Sequence, residues 1–147
     1  MVTIKKISKT QLPQLVLISY LGDDELLNKF HVEPNMSFKM AVGSTLQMIY
    51  DLSSEKRLNY YKVIYNKMPI GYFVTFDNCL YSFGINIDFR VKNILISWWQ
   101  QIKKALGKEF YAKLYEQNTR AISFLEKCGM EIYHRDEINK VVTLLTN

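Results

Sequence analysis

The sequence has little of what a zinc site, a disulfide scaffold or a membrane span requires. Two cysteines and two histidines occur in 147 residues. Neither Cys79 nor Cys128 has a CxxC partner or a neighbouring histidine cluster, so disulfide-framework and metal-ligand spacings are both missing. The cysteines read as reduced, small hydrophobic residues, and His31 and His134 receive no role. No apolar run approaches the ~20 residues of a spanning helix. The opening Met1-Val2-Thr3-Ile4-Lys5-Lys6 alternates rather than building a signal-peptide block. A soluble, cytoplasmic protein without a membrane partner is expected. The 6 Gly and 3 Pro are scattered, with no repeat, low-complexity tract or linker, so residues 1–147 read as a single domain.

What is present is apolar and aromatic. A hydrophobic fraction of 48% with 14% aromatics is enough to build a core and too much for a disordered chain. The formal charge of +5 favours an anionic partner. Lys103, Lys104 and Lys108 fall on a predicted helix surface and its end, where a solvated, dipole-complementing face explains them. No basic and aromatic interleaving accompanies them, which disfavours nucleic acid.

The periodicity changes in an informative order. Val2–Ile7 alternates as a strand, Thr10 caps a helix, and Leu12, Leu15, Val16 and Tyr20 share one helical face. Gly22-Asp23-Asp24 breaks the pattern, and a short apolar segment runs to Phe30. Ser37 then caps a second helix with the stripe Phe38, Ala41, Val42, Leu46 and Ile49. Tyr60–Tyr65, Ile70–Phe76 and Cys79–Ile87 are β-branched and aromatic runs with short connections, which predicts an antiparallel meander. Arg90–Leu106 reads as a helix with Trp98 inward and Trp99 peripheral. A strand follows at Glu109–Glu116, then a helix at Asn118–Cys128 and a hairpin of Met130–Tyr133 with Lys140–Leu145. The sum, β-α-α-β-β-β-α-β-α-β-β, is an α/β fold with a mixed sheet and helices on both faces.

One segment within that order is more specific. Asn118-Thr119-Arg120-Ala121-Ile122-Ser123-Phe124-Leu125-Glu126-Lys127-Cys128-Gly129-Met130 resembles the GNAT N-acetyltransferase motif N-x-x-A-x-x-F-Y-E-K-x-G-F. Lys67-Met68-Pro69-Ile70-Gly71-Tyr72 is similar to a hairpin of the same family. The physics of the motif stands without the family: Asn118 can cap, Ala121 permits close packing, and Gly129 can take a left-handed turn into the next strand.

The resemblance implies the GNAT fold, with a splayed opening between the fourth and fifth strands that admits acetyl-CoA. It implies cofactor contacts from Ile85, Asn86 and Ile87 at the end of the fourth strand and from Asn118 and Ala121. It also implies a pyrophosphate site at Arg90-Val91-Lys92-Asn93-Ile94-Leu95, where anions meet free helix amides. The family pattern there is R/Q-x-x-G-x-G/A. Arg90 matches, Lys92 adds charge, and Asn93 and Leu95 replace the small residues that let backbone approach phosphate closely.

Amine acetylation needs an uncharged nucleophile and an acid for the departing thiolate. The family's tyrosine acid falls at Leu125, which has no proton to give. Tyr115 and Glu116, before Asn118, and Tyr81 and Ser82, on the preceding strand, are the substitutes the sequence offers. The expected partners are acyl-CoA and an amine acceptor. The competing expectation is an inactive binding or structural module with a protein partner, similar to GNAT-like virion proteins of short-tailed bacteriophages, which share Leu125 at this position; a virion location would then replace a cytoplasmic one. Partly exposed Tyr60, Tyr61 and Trp99 would provide a homodimer patch.

Overall fold

In the computed structural model, which describes residues 1–30 and 35–146, the element order matches the sequence pattern. Strands β1 (Val2–Ile7), β2 (Asn59–Tyr65), β3 (Met68–Phe76), β4 (Cys79–Ile85), β5 (Tyr111–Tyr115), β6 (Met130–Asp136) and β7 (Val141–Thr146) form one sheet in the order β1-β2-β3-β4-β5-β7-β6. Every pairing is antiparallel except β4 with β5. The helices are α1 (Leu12–Tyr20), α2 (Phe38–Ser53), α3 (Lys92–Leu106) and α4 (Thr119–Lys127). His31 lies outside the described residues. Among those described, no helix is long and apolar enough to cross a membrane.

Alternation along the strands makes two cores. On one face Tyr72 and Val74 of β3 pack with Leu12, Leu15, Val16 and Ile49 of α1 and α2. On the other, Phe73 of β3 and Leu80 of β4 pack with Trp98, Ile102 and Leu125 of α3 and α4. Side chains on adjacent strand residues point to opposite faces, so a three-residue run of β3 feeds both.

Local chemistry fixes the turns. Asn66 and Lys67 have φ of 50° and 64°, the pair of positive values that a tight hairpin needs to match strand twist. At Gly71 the requirement is contact: a Cβ there would lie 2.1 Å from the Gly84 carbonyl oxygen across the β3–β4 pairing.

Several boundaries and exposures differ from the sequence expectation. β4 ends at Ile85, and Ile87–Phe89 forms a 3-10 turn capped by Asn86, whose side chain accepts from the Asp88 amide at 2.9 Å. That turn places Arg90 ahead of α3, whose N-cap is Val91. Trp99 is buried rather than peripheral, because Phe124 inserts beside both indoles, stacked on Trp98 at 5.6 Å and edge-on to Trp99 at 6.1 Å. Tyr60 is buried in the core beneath α1 and α2, whereas Tyr61 stacks on Phe73 at 4.6 Å. Of the three aromatics expected to form a homodimer patch, Tyr60 and Trp99 are buried in different cores, and Tyr61 is partly exposed as expected.

Candidate functional site

β4 and β5 pair at two positions, Cys79 with Tyr111 and Leu80 with Ala112, and then part. A pair of parallel strands that diverges leaves backbone polar groups in need of other partners, the situation in which an extended ligand can add to an edge. Two cavities flank the divergence. One, of about 270 Å³, lies toward α3 and α4 and is lined by Ile85, Arg90, Leu95, Trp98, Arg120 and Ala121, among others. The other, of about 300 Å³, lies toward α2 and is lined by Thr45, Met48, Tyr72, Tyr81, Ser82, Lys113 and Tyr115, among others. Tyr20, Leu26, Phe83 and Asn118 line both, so they form the wall where the cavities meet.

Two arginines that line the first cavity converge on Asp23, which is not itself part of the lining and whose side chain is fully buried. Arg90 Nη1 lies 2.7 Å from its Oδ2, and Arg120 Nη2 lies 2.8 Å from the same oxygen. Burial alone would raise the carboxyl, but the hydrogen bond from Arg120 and the charge and hydrogen bond of Arg90 outweigh it and hold Asp23 below its ordinary value. Asp23 Oδ1 also accepts from the Leu26 amide at 3.2 Å, starting the helical turn Leu26–Phe30. Arg90 Nε donates to the Ile85 carbonyl at 2.8 Å. The two arginines thus tie the connector after α1 to the end of β4 and the start of α4.

The second cavity is built on hydroxyl groups. Tyr72 Oη and Ser82 Oγ are 2.8 Å apart, Tyr20 is hydrogen bonded to Thr45, and the Tyr20 and Tyr72 hydroxyls are in hydrogen-bond contact. Four elements, α2, α1, β3 and β4, are linked by this Thr45–Tyr20–Tyr72–Ser82 chain. Burial raises the Tyr20 phenol and pushes Tyr72 well above its ordinary value, so both stay protonated at neutral pH. Burial likewise raises Tyr81.

The fold recurs in solved structures. An acetyltransferase from Thermus thermophilus superposes with a TM-score of 0.69 at 15% identity, covering 99% of this chain and 96% of that one. The PaiA N-acetyltransferase from Thermoplasma acidophilum, in complex with coenzyme A, gives 0.63 at 15% identity, covering 100% and 99%. The aminoglycoside acetyltransferase AAC(6')-Ib, in complex with coenzyme A, gives 0.67 at 13% identity, covering 100% and 95%. The chain has the GNAT fold. No protein-family model and no curated protein matches its sequence.

Within the GNAT fold the residues singled out from sequence divide into three groups. Ile85, Arg90, Leu95, Asn118 and Ala121 come together in the first cavity, and Tyr81, Ser82 and Tyr115 in the second. Lys92 and Asn93 are exposed on the first turn of α3, which has no side-chain cap. The remainder line neither cavity. Ile94 is buried in the α3 core. Asn86 is buried and donates to the Ile18 carbonyl at 2.9 Å, holding the end of α1 to the end of β4. Ile87 sits in the 3-10 turn. Glu116, half-buried, donates its amide to the Lys140 carbonyl at 2.8 Å. Leu125 is fully buried among Trp98, Ile102 and their neighbours and lines neither cavity.

Sequence reasoning passed over Asp23, Arg120 and Tyr20. Asp23 stands in the Gly22-Asp23-Asp24 break, where it read as punctuation. Arg120 occupies an unspecified position of the motif, and Tyr20 read as the last residue of a core stripe. A usable signal was the acidic residue beside a strong helix break, in a chain whose recognised motif carries an arginine in its first turn.

Proposed function

We propose that this chain is an N-acetyltransferase that takes the acetyl group of acetyl-CoA and passes it to an amine by direct attack. The observation that carries this reading is the pair of cavities meeting at one wall where β4 and β5 part. A donor arriving from one side and an acceptor from the other are then held with their reacting ends adjacent, which replaces an encounter in solution by a prearranged approach.

The residues present suit the cofactor. The diverging edge of β4 through Ile85 offers backbone groups to the pantetheine amides. The first-turn amides of α3, with Lys92 beside them and no side-chain cap competing, suit the pyrophosphate. Trp98, which lines this cavity, offers an apolar ring surface against which the arm of the cofactor can pack. Acetyl-CoA supplies an activated acyl group, and the chain's part is to hold it, exclude water and manage protons.

The acceptor belongs in the second cavity, where Tyr81, Ser82 and Tyr115 offer hydroxyl contacts and ring faces. The fold neighbours include the aminoglycoside acetyltransferase AAC(6')-Ib in complex with ribostamycin and coenzyme A, and this supports an amine as the class of acceptor. The test is a calorimetric titration with acetyl-CoA, followed by mass-spectrometric detection of acetyl transfer to a panel of amines. Saturable binding and a product heavier by one acetyl group in place of a hydrogen are expected. An isotherm that stays flat at millimolar cofactor removes the reading.

A further inference from the structure

The wall shared by the two cavities is made by Tyr20, Leu26, Phe83 and Asn118, and it is where a thioester from one side and an amine from the other would meet. Leu26 and Phe83 have no exchangeable side-chain proton. Asn118 has its side-chain oxygen committed as the cap of α4, accepting from the Ala121 amide, and a neutral amide neither takes up nor releases a proton at neutral pH. Tyr20 is the one titratable side chain among the four. We propose that Tyr20 is a catalytic residue that shuttles the proton from the attacking nitrogen to the departing sulfur. This rests on the acetyltransferase reading given above.

The step balances without any further reactant. A neutral amine adds to the thioester carbonyl carbon, forming the C–N bond and leaving a proton too many on nitrogen. The Tyr20 oxygen accepts that proton as its own hydroxyl proton passes to sulfur. The C–S bond breaks with its electron pair on sulfur, so the products are a neutral amide and a thiol, and Tyr20 ends as it began. A phenol suits this exchange because its oxygen accepts and donates together.

Its surroundings fit a shuttle better than a base. Burial holds the Tyr20 phenol above its ordinary value, so the hydroxyl carries its proton through neutral pH. Thr45 and Tyr72 hold it in place through a hydroxyl chain that ends at Ser82, all of them on the acceptor side. The position the GNAT motif reserves for a tyrosine is Leu125, sealed in the core, which leaves the proton transfer to another element. Here that element is the C-terminal end of α1.

The experiment compares the wild type with Tyr20→Phe in the full chain. Calorimetry with CoA and with desulfo-CoA asks whether the residue touches sulfur, and it needs no acceptor. The wild type should bind CoA about fivefold more tightly than desulfo-CoA, a factor typical of one net hydrogen bond, and Tyr20→Phe should abolish that preference while binding acetyl-CoA within twofold of the wild type. With a transfer assay, kcat should fall about 100-fold. Saturable acetyl-CoA binding with transfer by Tyr20→Phe within threefold of the wild type overturns the shuttle and leaves the acetyltransferase reading standing. No acetyl-CoA binding by the wild type brings both down. Should Tyr20→Phe fail to fold, Thr45→Val releases the hydroxyl from its partner. A loss of about tenfold in kcat at unchanged acetyl-CoA affinity then supports the shuttle, and unchanged kcat overturns it.

Discussion

Asp23 and Arg120 stand 97 positions apart in the chain, and their carboxylate and guanidinium meet at 2.8 Å. With Arg90 on the same oxygen, one fully buried acid serves two cations that are each about a quarter to a third exposed. Removing the acid strands both. Asp23→Ala should lower the unfolding free energy by about 2 kcal/mol in urea titrations, less than the larger losses seen for wholly buried pairs because water reaches both guanidiniums.

The same pair sets an acid limb. The Asp23 carboxyl is held below its ordinary value in the fold, so its contribution is fully present above the unfolded value near ~4 and is lost as pH falls through the folded one. Unfolding free energy should therefore decline steadily below about pH 4. Asp23→Asn, which cannot titrate, should show a shallower decline over that interval together with lower stability at pH 7. Parallel curves for the two proteins would refute the assignment.

Gly71 is required by contact. A methyl group there meets the Gly84 carbonyl oxygen at 2.1 Å, and neither backbone can yield without breaking the β3–β4 register. Gly71→Ala should cost about 3 kcal/mol and lower the thermal midpoint by roughly 10 °C. Gly43→Ala, in α2 with nothing within 4 Å of the added carbon, is the matched control and should leave the midpoint unchanged or raise it slightly.

Leu95 lines the first cavity, at a position where the GNAT pattern R/Q-x-x-G-x-G/A, which Arg90–Leu95 resembles, has a small residue. Leu95→Ala widens that opening beside the first turn of α3. Acetyl-CoA affinity should rise about threefold by calorimetry, with a stability loss of about 1 kcal/mol, small for a leucine because the side chain is only half-buried.

Both thiols should be slow to react. Burial pushes Cys79 and Cys128 up to about 11, so little thiolate exists at pH 8, and thiolate is the reactive form. Alkylation by iodoacetamide at pH 8 should proceed well below the rate of free cysteine and rise steeply toward pH 11.

The features legible in the sequence were those encoded within a few residues. Asn118 as cap and Gly129, with φ of 102°, as terminator define α4 through local geometry, and strand and helix periods set the element order. Arg90 was recognisable as a residue type, but its removal from α3 depends on a 3-10 turn whose cap, Asn86, also bonds α1 far upstream. Trp98 and Trp99 point in different directions on the helix, as adjacent positions must. Both are nonetheless buried, because a ring as large as Phe124 from another element fills the space between them. Asp23, Arg90 and Arg120 form a site only through tertiary approach, and no pattern within one element marks a residue as facing two cavities, as Tyr20 does.

The meeting of β4 with β5 at just two residue pairs has a mechanical meaning. Strands β1 to β4 and strands β5, β7 and β6 are each knitted by long antiparallel ladders, so the seam between them is the thinnest part of the sheet. Amide hydrogens on the two sides should exchange as two separate cooperative blocks. A ligand lodged in the seam would fuse those blocks into one, slowing exchange in strands it never touches.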